Sequence, residues 1–211
     1  MKKLLLAATM LVALASGAQA VTVNATDIGA SGTTNIQGFV DVNGNAVSIP
    51  GLTATLFLEF NGVTGNTWSF DYTLTNTSSN NISAARISSW ALGTTPNVTS
   101  ATSTGLYGFV DLTPNYPNVN GAQSFLDFCV TPVDGNCSSG SGLLAGEAAS
   151  GILFLTFATQ LASISLDSAL TRFQSIDSGA PYNFVGASGV GFNVGDVTIN
   201  PLGGVGGELV V

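Results

Sequence analysis

Acidic side chains are the main reactive groups that this sequence offers. The 211 residues include no histidine, which excludes Ser-His-Asp and Cys-His catalysis and the commonest zinc sites. The only two lysines are Lys2 and Lys3, so the chain after its first residues has no amine for Schiff-base chemistry. A pair of carboxylates, the equipment of glycoside hydrolases, is what remains. The candidates on or near predicted strands are Glu59, Asp71, Asp127, Glu147 and Asp167.

These acids have a simpler interpretation as solubilising groups. Alternation places Asp71 and Asp127 on the polar faces of their predicted strands, where a solvated carboxylate is the default. We therefore predict that the protein is not an enzyme, with a carboxylate-based glycosidase as the least favoured hypothesis. Calcium is the only metal that an oxygen-rich chain suggests. Residues 41–45 and 134–136 place Asp and Asn oxygens on turns, but neither matches an EF-hand, and turns favour these residues anyway. No cofactor is predicted.

Aromatic side chains fall into two groups. Trp68, Phe70 and Tyr72 alternate with polar residues and are predicted to lie in the core. A second group lies in less patterned surroundings rich in Gly, Pro and Asn, and could form a platform that stacks on sugar rings. Its members are Trp90, Tyr107, Tyr116 and Tyr182. Tyr116 is the leading candidate, because Pro114 and Pro117 stiffen the loop around it.

The first 20 residues are typical of a bacterial secretion signal. Lys2 and Lys3 form a basic start, residues 4–15 are mostly apolar, and Ala18-Gln19-Ala20 matches a cleavage site. We expect cleavage between Ala20 and Val21 and a secreted protein, extracellular, periplasmic or on the cell surface. The apolar run is too short to span a membrane, and no later segment is long enough, so no transmembrane span is predicted in the mature chain.

Charge excludes two classes of partner. Removal of the leader leaves Arg86 and Arg172 against 12 acids, a net charge of −10. Binding to nucleic acid requires many cations opposite the phosphates, and anionic lipid has a similar requirement. Both partners are therefore excluded.

Two cysteines, Cys129 and Cys137, are the only ones in the chain. An even number in an exported protein predicts a disulfide. Closing this loop of 9 residues is worth about 2.6 kcal/mol in the chain-entropy model. A local staple is favoured over a redox centre, which usually has the spacing C-x-x-C.

Many short β-strands are predicted after the leader. Residues 67–76 alternate strictly between apolar and polar side chains, and residues 55–60 precede them as the other half of a hairpin. Asn43-Gly44 predicts a turn between strands at 38–42 and 47–49. The other predicted strands are 85–91, 106–111, 124–130, 151–157, 164–166, 170–176, 183–185 and 194–199.

This pattern predicts an all-β fold, specifically a two-sheet antiparallel sandwich of the Ig-like or jelly-roll kind. We expect a signal peptide at 1–20, a single sandwich domain at 21–200 and a glycine-rich C-terminal tail at 201–211. The tail reads as a frayed terminus, with pairing to an edge strand of a neighbouring molecule as the alternative.

From residue 76 onward the sequence also resembles a known family. The matching segments are 76–79 (Asn-Thr-Ser-Ser), 85–88 (Ala-Arg-Ile-Ser), 96–99 (Pro-Asn-Val-Thr), 103–105 (Ser-Thr-Gly), both cysteines, 166–167 (Leu-Asp), 172–176 (Arg-Phe-Gln-Ser-Ile) and 186–189 (Gly-Ala-Ser-Gly). In order and spacing they resemble the cistern family PEP-CTERM proteins. The resemblance implies an exported bacterial protein of the cell surface or exopolysaccharide matrix, without catalytic residues. The family's Pro-Glu-Pro motif, apolar span and basic cluster are absent before Val211, so release is expected rather than anchoring.

Together these observations favour a non-catalytic structural or interaction protein of the bacterial envelope or extracellular matrix. The expected partners are polysaccharide, other surface proteins or further copies of the chain. The alternative is a carbohydrate-binding module for exopolysaccharide.

Overall fold

The computed structural model describes residues 20–42, 45–114, 125–133, 137 and 139–193, and the fold is given for these residues. They form twelve β-strands and no helix, so none of them forms a helix that could cross a membrane. The strands are β1 (Val21–Asn24), β2 (Ser31–Val42), β3 (Asn45–Thr64), β4 (Thr67–Asn76), β5 (Ile82–Thr95), β6 (Ser100–Ser103), β7 (Phe109–Asp111), β8 (Phe128–Thr131), β9 (Leu143–Leu144), β10 (Ala148–Thr156), β11 (Ser163–Ser178) and β12 (Ala187–Asn193).

Antiparallel hydrogen bonds join these strands into one sheet. Its order is β6-β10-β4-β3-β2-β12-β11-β5-β8-β7, with β1 also pairing with β11 and β9 with β5. The two terminal strands, β6 and β7, approach each other, so the sheet rolls up and nearly closes. The all-β prediction is confirmed. The two-sheet sandwich is not confirmed, because the described strands are not divided into two separate sheets.

The β3–β4 hairpin follows the sequence pattern most closely. β4 occupies the predicted residues 67–76 and alternates between buried and more exposed positions. Its buried aromatic rings pack against Phe60 of β3, with ring centroids 5.0 Å apart for Trp68 and 5.3 Å for Phe70. The turn is tighter than predicted, because β3 continues to Thr64 and pairs there with Thr67.

Several predicted strands differ from those observed. The segments 164–166 and 170–176 belong to one long strand, β11, because a register shift against β5 after Leu166 absorbs the irregular residues between them. Residues 183–185 were predicted as a strand but lie in the loop before β12. Residues 43–44, 115–124 and 194–199 lie outside the described residues.

The apolar side chains form two clusters. The larger one fills the interior of the rolled sheet and contains every fully buried tryptophan and tyrosine described: Trp68, Tyr72, Trp90 and Tyr107. The smaller one, which we call the outer cluster, contains Ala91, Leu126, Cys129, Cys137, Leu170 and Val190. Cys129 and Cys137 form the predicted disulfide, with their Cα atoms 5.7 Å apart.

Candidate functional site

Trp90 is not part of an exposed platform, and that prediction is wrong. The pairing of β5 with β11 shifts between Ser89 and Ile87, so Ser88 is an extra residue in a β-bulge. Ile87 and Trp90, three positions apart, therefore both enter the interior cluster. The Trp90 ring lies 5.0 Å from that of Tyr72, measured between centroids, and no part of it is exposed.

Tyr107 is also buried, which corrects a second platform residue. Its hydroxyl donates a hydrogen bond to the Ile87 carbonyl at 2.7 Å and accepts one from the Leu143 amide at 3.3 Å. Burial raises the pKa of this phenol well above its ordinary value. Because a fully buried ring cannot stack on a sugar, Tyr107 is a structural link between β5 and β9.

Tyr182 is the one predicted platform residue that is described and partly exposed. Its ring stacks on Phe184 with centroids 5.5 Å apart and planes within 2° of parallel. The loop is anchored at both ends: the Asn81 side chain donates to the Ala180 carbonyl, and the Gly186 amide donates to the Asp177 carboxylate. Tyr116 lies outside the described residues, so the predicted four-residue platform reduces to Tyr182 with a partner, Phe184, that the sequence analysis missed.

An apolar patch lies where the rolled sheet fails to close. Leu106, Phe109 and Leu112 are 45%, 48% and 42% exposed, and they lie on or beside β7, the last strand of the sheet. Val133 is 42% exposed and follows Thr131, the pairing partner of Phe109. We call these four residues the seam patch.

A second feature is a gap between β1 and β2. β1 pairs with β11 at residues 163–166, and β12 pairs with β11 beyond Ala169, so β1 and β12 lie end to end along one edge of β11. β2 pairs with β12 only from Ile36 onward. Within the described chain, residues 31–35 of β2 therefore have no strand on their β12 side.

A cavity of about 220 Å³ opens into this gap. Its walls are β1 and the start of β2, and its floor is made of inward-facing side chains of other strands: Leu56, Leu58, Phe70 and Leu92. Asp27, Ser31 and Thr33 lie at its polar rim. The short connection between β1 and β2 is fixed to β3 by two hydrogen bonds. The Gly29 amide donates to the Phe60 carbonyl at 2.8 Å, and the Phe60 amide donates to the Ala30 carbonyl at 2.9 Å.

Three of the five candidate carboxylates hold local structure. Asp127 accepts hydrogen bonds from the Thr94 amide at 2.7 Å and its hydroxyl at 2.5 Å. Asp167 accepts from the Thr95 hydroxyl, and Glu147 accepts from the Leu144 amide across a turn. These contacts give each of the three acids a structural role.

The remaining two acids lie next to each other. Glu59 of β3 pairs directly with Asp71 of β4, on the outward side of the hairpin, away from the cavity. Like charges directly opposite on a sheet repel each other. No group of three or more acidic, cysteine or histidine side chains that could hold a metal ion occurs among the described residues. Of the proposed calcium turns, Asp41 ends up on β2, and residues 134–136 lie outside the described part.

Comparison with known proteins gives no relative: no family model matches the chain, and no curated protein or solved structure does either.

Proposed function

We propose that this is an exported, non-catalytic structural protein of the bacterial exterior that associates with further copies of itself through the seam patch. The observation that carries this proposal is that four large apolar side chains on or near β7 and β8, the last two strands of the sheet, are 42% to 48% exposed. Single exposed apolar residues are ordinary, whereas a group of them on one surface marks an interaction site.

The position of the patch supports self-association. Among the described strands, β7 forms a hydrogen-bonded ladder with β8 only, and its other edge approaches β6 without pairing, beside exposed Phe109. A second sheet can pair with such an edge and cover its apolar side chains at once. The acidic chain opposes this contact by repulsion, so association is expected to strengthen as salt screens the charge.

The test compares two double variants by sedimentation velocity at several protein concentrations. Phe109→Ser with Leu112→Ser should shift the protein toward the monomer. The matched control, Ile28→Ser with Val185→Ser, removes two exposed apolar side chains outside the patch, 68% and 89% exposed, and should leave association unchanged. Equal association of the wild type and both variants would refute the proposal.

Export is supported by the leader and by the disulfide, since disulfides persist in oxidising compartments. The expected result is a secreted polypeptide whose first residue on N-terminal sequencing is Val21. A protein that keeps residues 1–20 and stays in the cytoplasm would contradict this part of the proposal.

Tyr182, the predicted platform residue that stays partly exposed, favours a second candidate function, a carbohydrate-binding module. Its anchored loop holds an aromatic surface partly open to solvent, the usual requirement for stacking on a sugar ring. Under this alternative, Tyr182→Ala abolishes retention on a polysaccharide column, and Trp90 and Tyr107 contribute no contact. Retention that is unaffected by Tyr182→Ala would remove the candidate.

A further inference from the structure

The cavity between β1 and β2 connects the interior of the rolled sheet with its outside. β1 pairs with β11, and residues 31–35 of β2 pair with β3. Among the described strands, β1 and β2 form no ladder with each other. Leu58 and Leu166, which line the cavity, are only partly buried, whereas Leu56 and Phe70 on its floor belong to the buried core. The cavity therefore offers apolar surface that no described side chain covers.

Hydrogen bonds hold this gap open at both ends of the connection between its walls. The Ala25 amide donates to the Ala162 carbonyl at 2.8 Å, which fixes the end of β1 beside β11. The Gly29 amide donates to the Phe60 carbonyl at 2.8 Å, which fixes the start of β2 beside β3. Because the two walls are tied to different neighbours, the cavity is preformed, as ligand pockets usually are.

The inward face of β2 has an empty position at the cavity. Side chains of a strand alternate between its two faces, so Gly32 shares a face with buried Ile36 and Gly38. A Cβ atom at Gly38 would collide with the Leu52 side chain, whereas one at Gly32 would meet no heavy atom within 4 Å. Gly32 also lines the cavity. The described chain thus leaves space at an inward-facing position of this strand.

The polar rim of the cavity disfavours an anionic ligand. The Asn24 backbone amide and side chain donate to the Asp27 carboxylate at 2.9 Å and 2.8 Å, and these bonds lower its pKa. Asp27 is therefore ionised at neutral pH. None of the described residues that line the cavity is basic. An anion would be repelled there, whereas the hydroxyls of Ser31 and Thr33 can donate to and accept from a neutral polar group.

The volume of the cavity limits the size of its ligand. A cavity of about 150 Å³ with an apolar lining holds one benzene molecule, which has six carbon atoms. In proportion, the cavity of about 220 Å³ accommodates about nine. We infer that it binds a free small molecule with an alkyl chain of about eight carbons and an uncharged, hydrogen-bonding end such as a hydroxyl. This binding does not depend on the seam patch or on self-association.

Calorimetric titration of the full chain at neutral pH with 1-hexanol, 1-octanol and octanoate tests the inference. 1-Octanol should bind saturably, with one molecule per chain. Each buried methylene strengthens binding about fourfold, so 1-hexanol should bind about 15-fold more weakly. Octanoate should bind about tenfold more weakly than 1-octanol, because its charge lies near Asp27. Absence of saturable octanol binding, or equal affinity for octanol and octanoate, would overturn the inference.

A pair of leucine variants locates the site. Gly32→Leu places a side chain in the empty inward position and should weaken octanol binding by about tenfold or more, since it occupies the space of several ligand carbons. Asn35→Leu is the matched control, because Asn35 is exposed on the outward face of the same strand and does not line the cavity. Its dissociation constant should stay within about twofold of the wild-type value. Equal weakening in both variants, or in neither, would contradict the assignment.

A charge variant keeps the test decisive if Gly32→Leu folds poorly. Asp27→Asn retains an oxygen that can accept the bonds from Asn24 but removes the negative charge from the rim. It should strengthen octanoate binding several-fold and leave octanol binding almost unchanged. Asp71→Asn removes the same charge from the outward side of the β3–β4 hairpin and should leave both affinities unchanged. Octanoate binding that responds equally to the two substitutions, or to neither, would refute the proposed position of the ligand.

Discussion

The strands β4 and β5 use their two faces differently. Along β4, buried positions alternate with partly exposed ones, and only the inner face meets the core. Along β5, residues 87–94 are all buried. The inner face of β5 carries Ile87, Trp90 and Leu92, and its outer face carries Ala91 of the outer cluster.

The difference arises from what covers the outside of the sheet. Over β5 lies the segment that carries the disulfide, and Ser89 donates a hydrogen bond to the Cys137 carbonyl at 2.7 Å. A Cβ atom at Gly93 would clash with the Phe125 carbonyl, so the covering backbone lies directly on the strand. Polarity therefore alternates along β4, which has one buried face. In β5, both faces are buried, and its buried positions include serine and threonine.

The largest expected effect comes from truncating the core side of β5. Trp90→Ala should lower the free energy of unfolding by roughly 3–5 kcal/mol, because a fully buried indole leaves a cavity that the sheet cannot close. Urea denaturation measures this loss. Tyr182→Ala, at a partly exposed site, is the control and should cost far less. Similar losses in the two variants would contradict the burial of Trp90.

Removing the disulfide tests whether the segment that carries it protects the outer face of β5. The double variant Cys129→Ala with Cys137→Ala should lose about 2.6 kcal/mol from loop closure alone. Hydrogen exchange should accelerate at β5 and β8, which lie under the covering segment, much more than at β3 and β4. Uniform acceleration across all four strands would show that the cover protects no particular region.

Alkaline pH should destabilise the fold by ionising its buried tyrosines. Burial raises the pKa of Tyr107 beside β5, and of Tyr72 on β4, above the ordinary value of 10.0. The buried neutral phenols contribute fully to the free energy of unfolding below pH about 10, where the phenol in the unfolded chain begins to ionise. This contribution is lost as pH rises from there through the folded-state pKa. Thermal melts from pH 8 to 11 should show falling stability above pH 10. Tyr107→Phe should flatten that fall, and an unchanged profile would exclude Tyr107 as its source.

The smallest effect is expected on the uncovered side of the hairpin. Asp71→Asn removes the repulsion with Glu59, its direct neighbour, and should raise the free energy of unfolding by less than about 0.5 kcal/mol. Melting temperatures at low and high salt provide the measurement. The gain should disappear at high salt, and a large loss would mean that the carboxylate makes a favourable contact.

The sequence predicted the elements whose signals are local. Strict alternation located β4 to the residue, and the even number of cysteines in a chain predicted to be exported indicated the disulfide between Cys129 and Cys137. The all-β class followed from frequent turn residues between short apolar runs.

The features that escaped prediction depend on distant partners. The bulge at Ser88 is visible only in the register of β5 against β11, and it turns Trp90 inward. Residues 106–111 were predicted as a strand and Tyr107 as a member of an exposed platform, but β9 supplies a hydrogen-bond partner for its buried hydroxyl from 36 positions away. The seam patch and the gap follow from the closure of the sheet, which no local pattern encodes.

The pairing of Val21 with Leu166 also constrains how the chain acquires its fold. The β2–β3–β4 meander can form from its own residues as soon as they emerge. The pairings of β1, β2 and β5 with β11 and β12 instead require the last third of the polypeptide. Such high contact order slows folding, so we expect the roll to close late, after synthesis of the chain is almost complete.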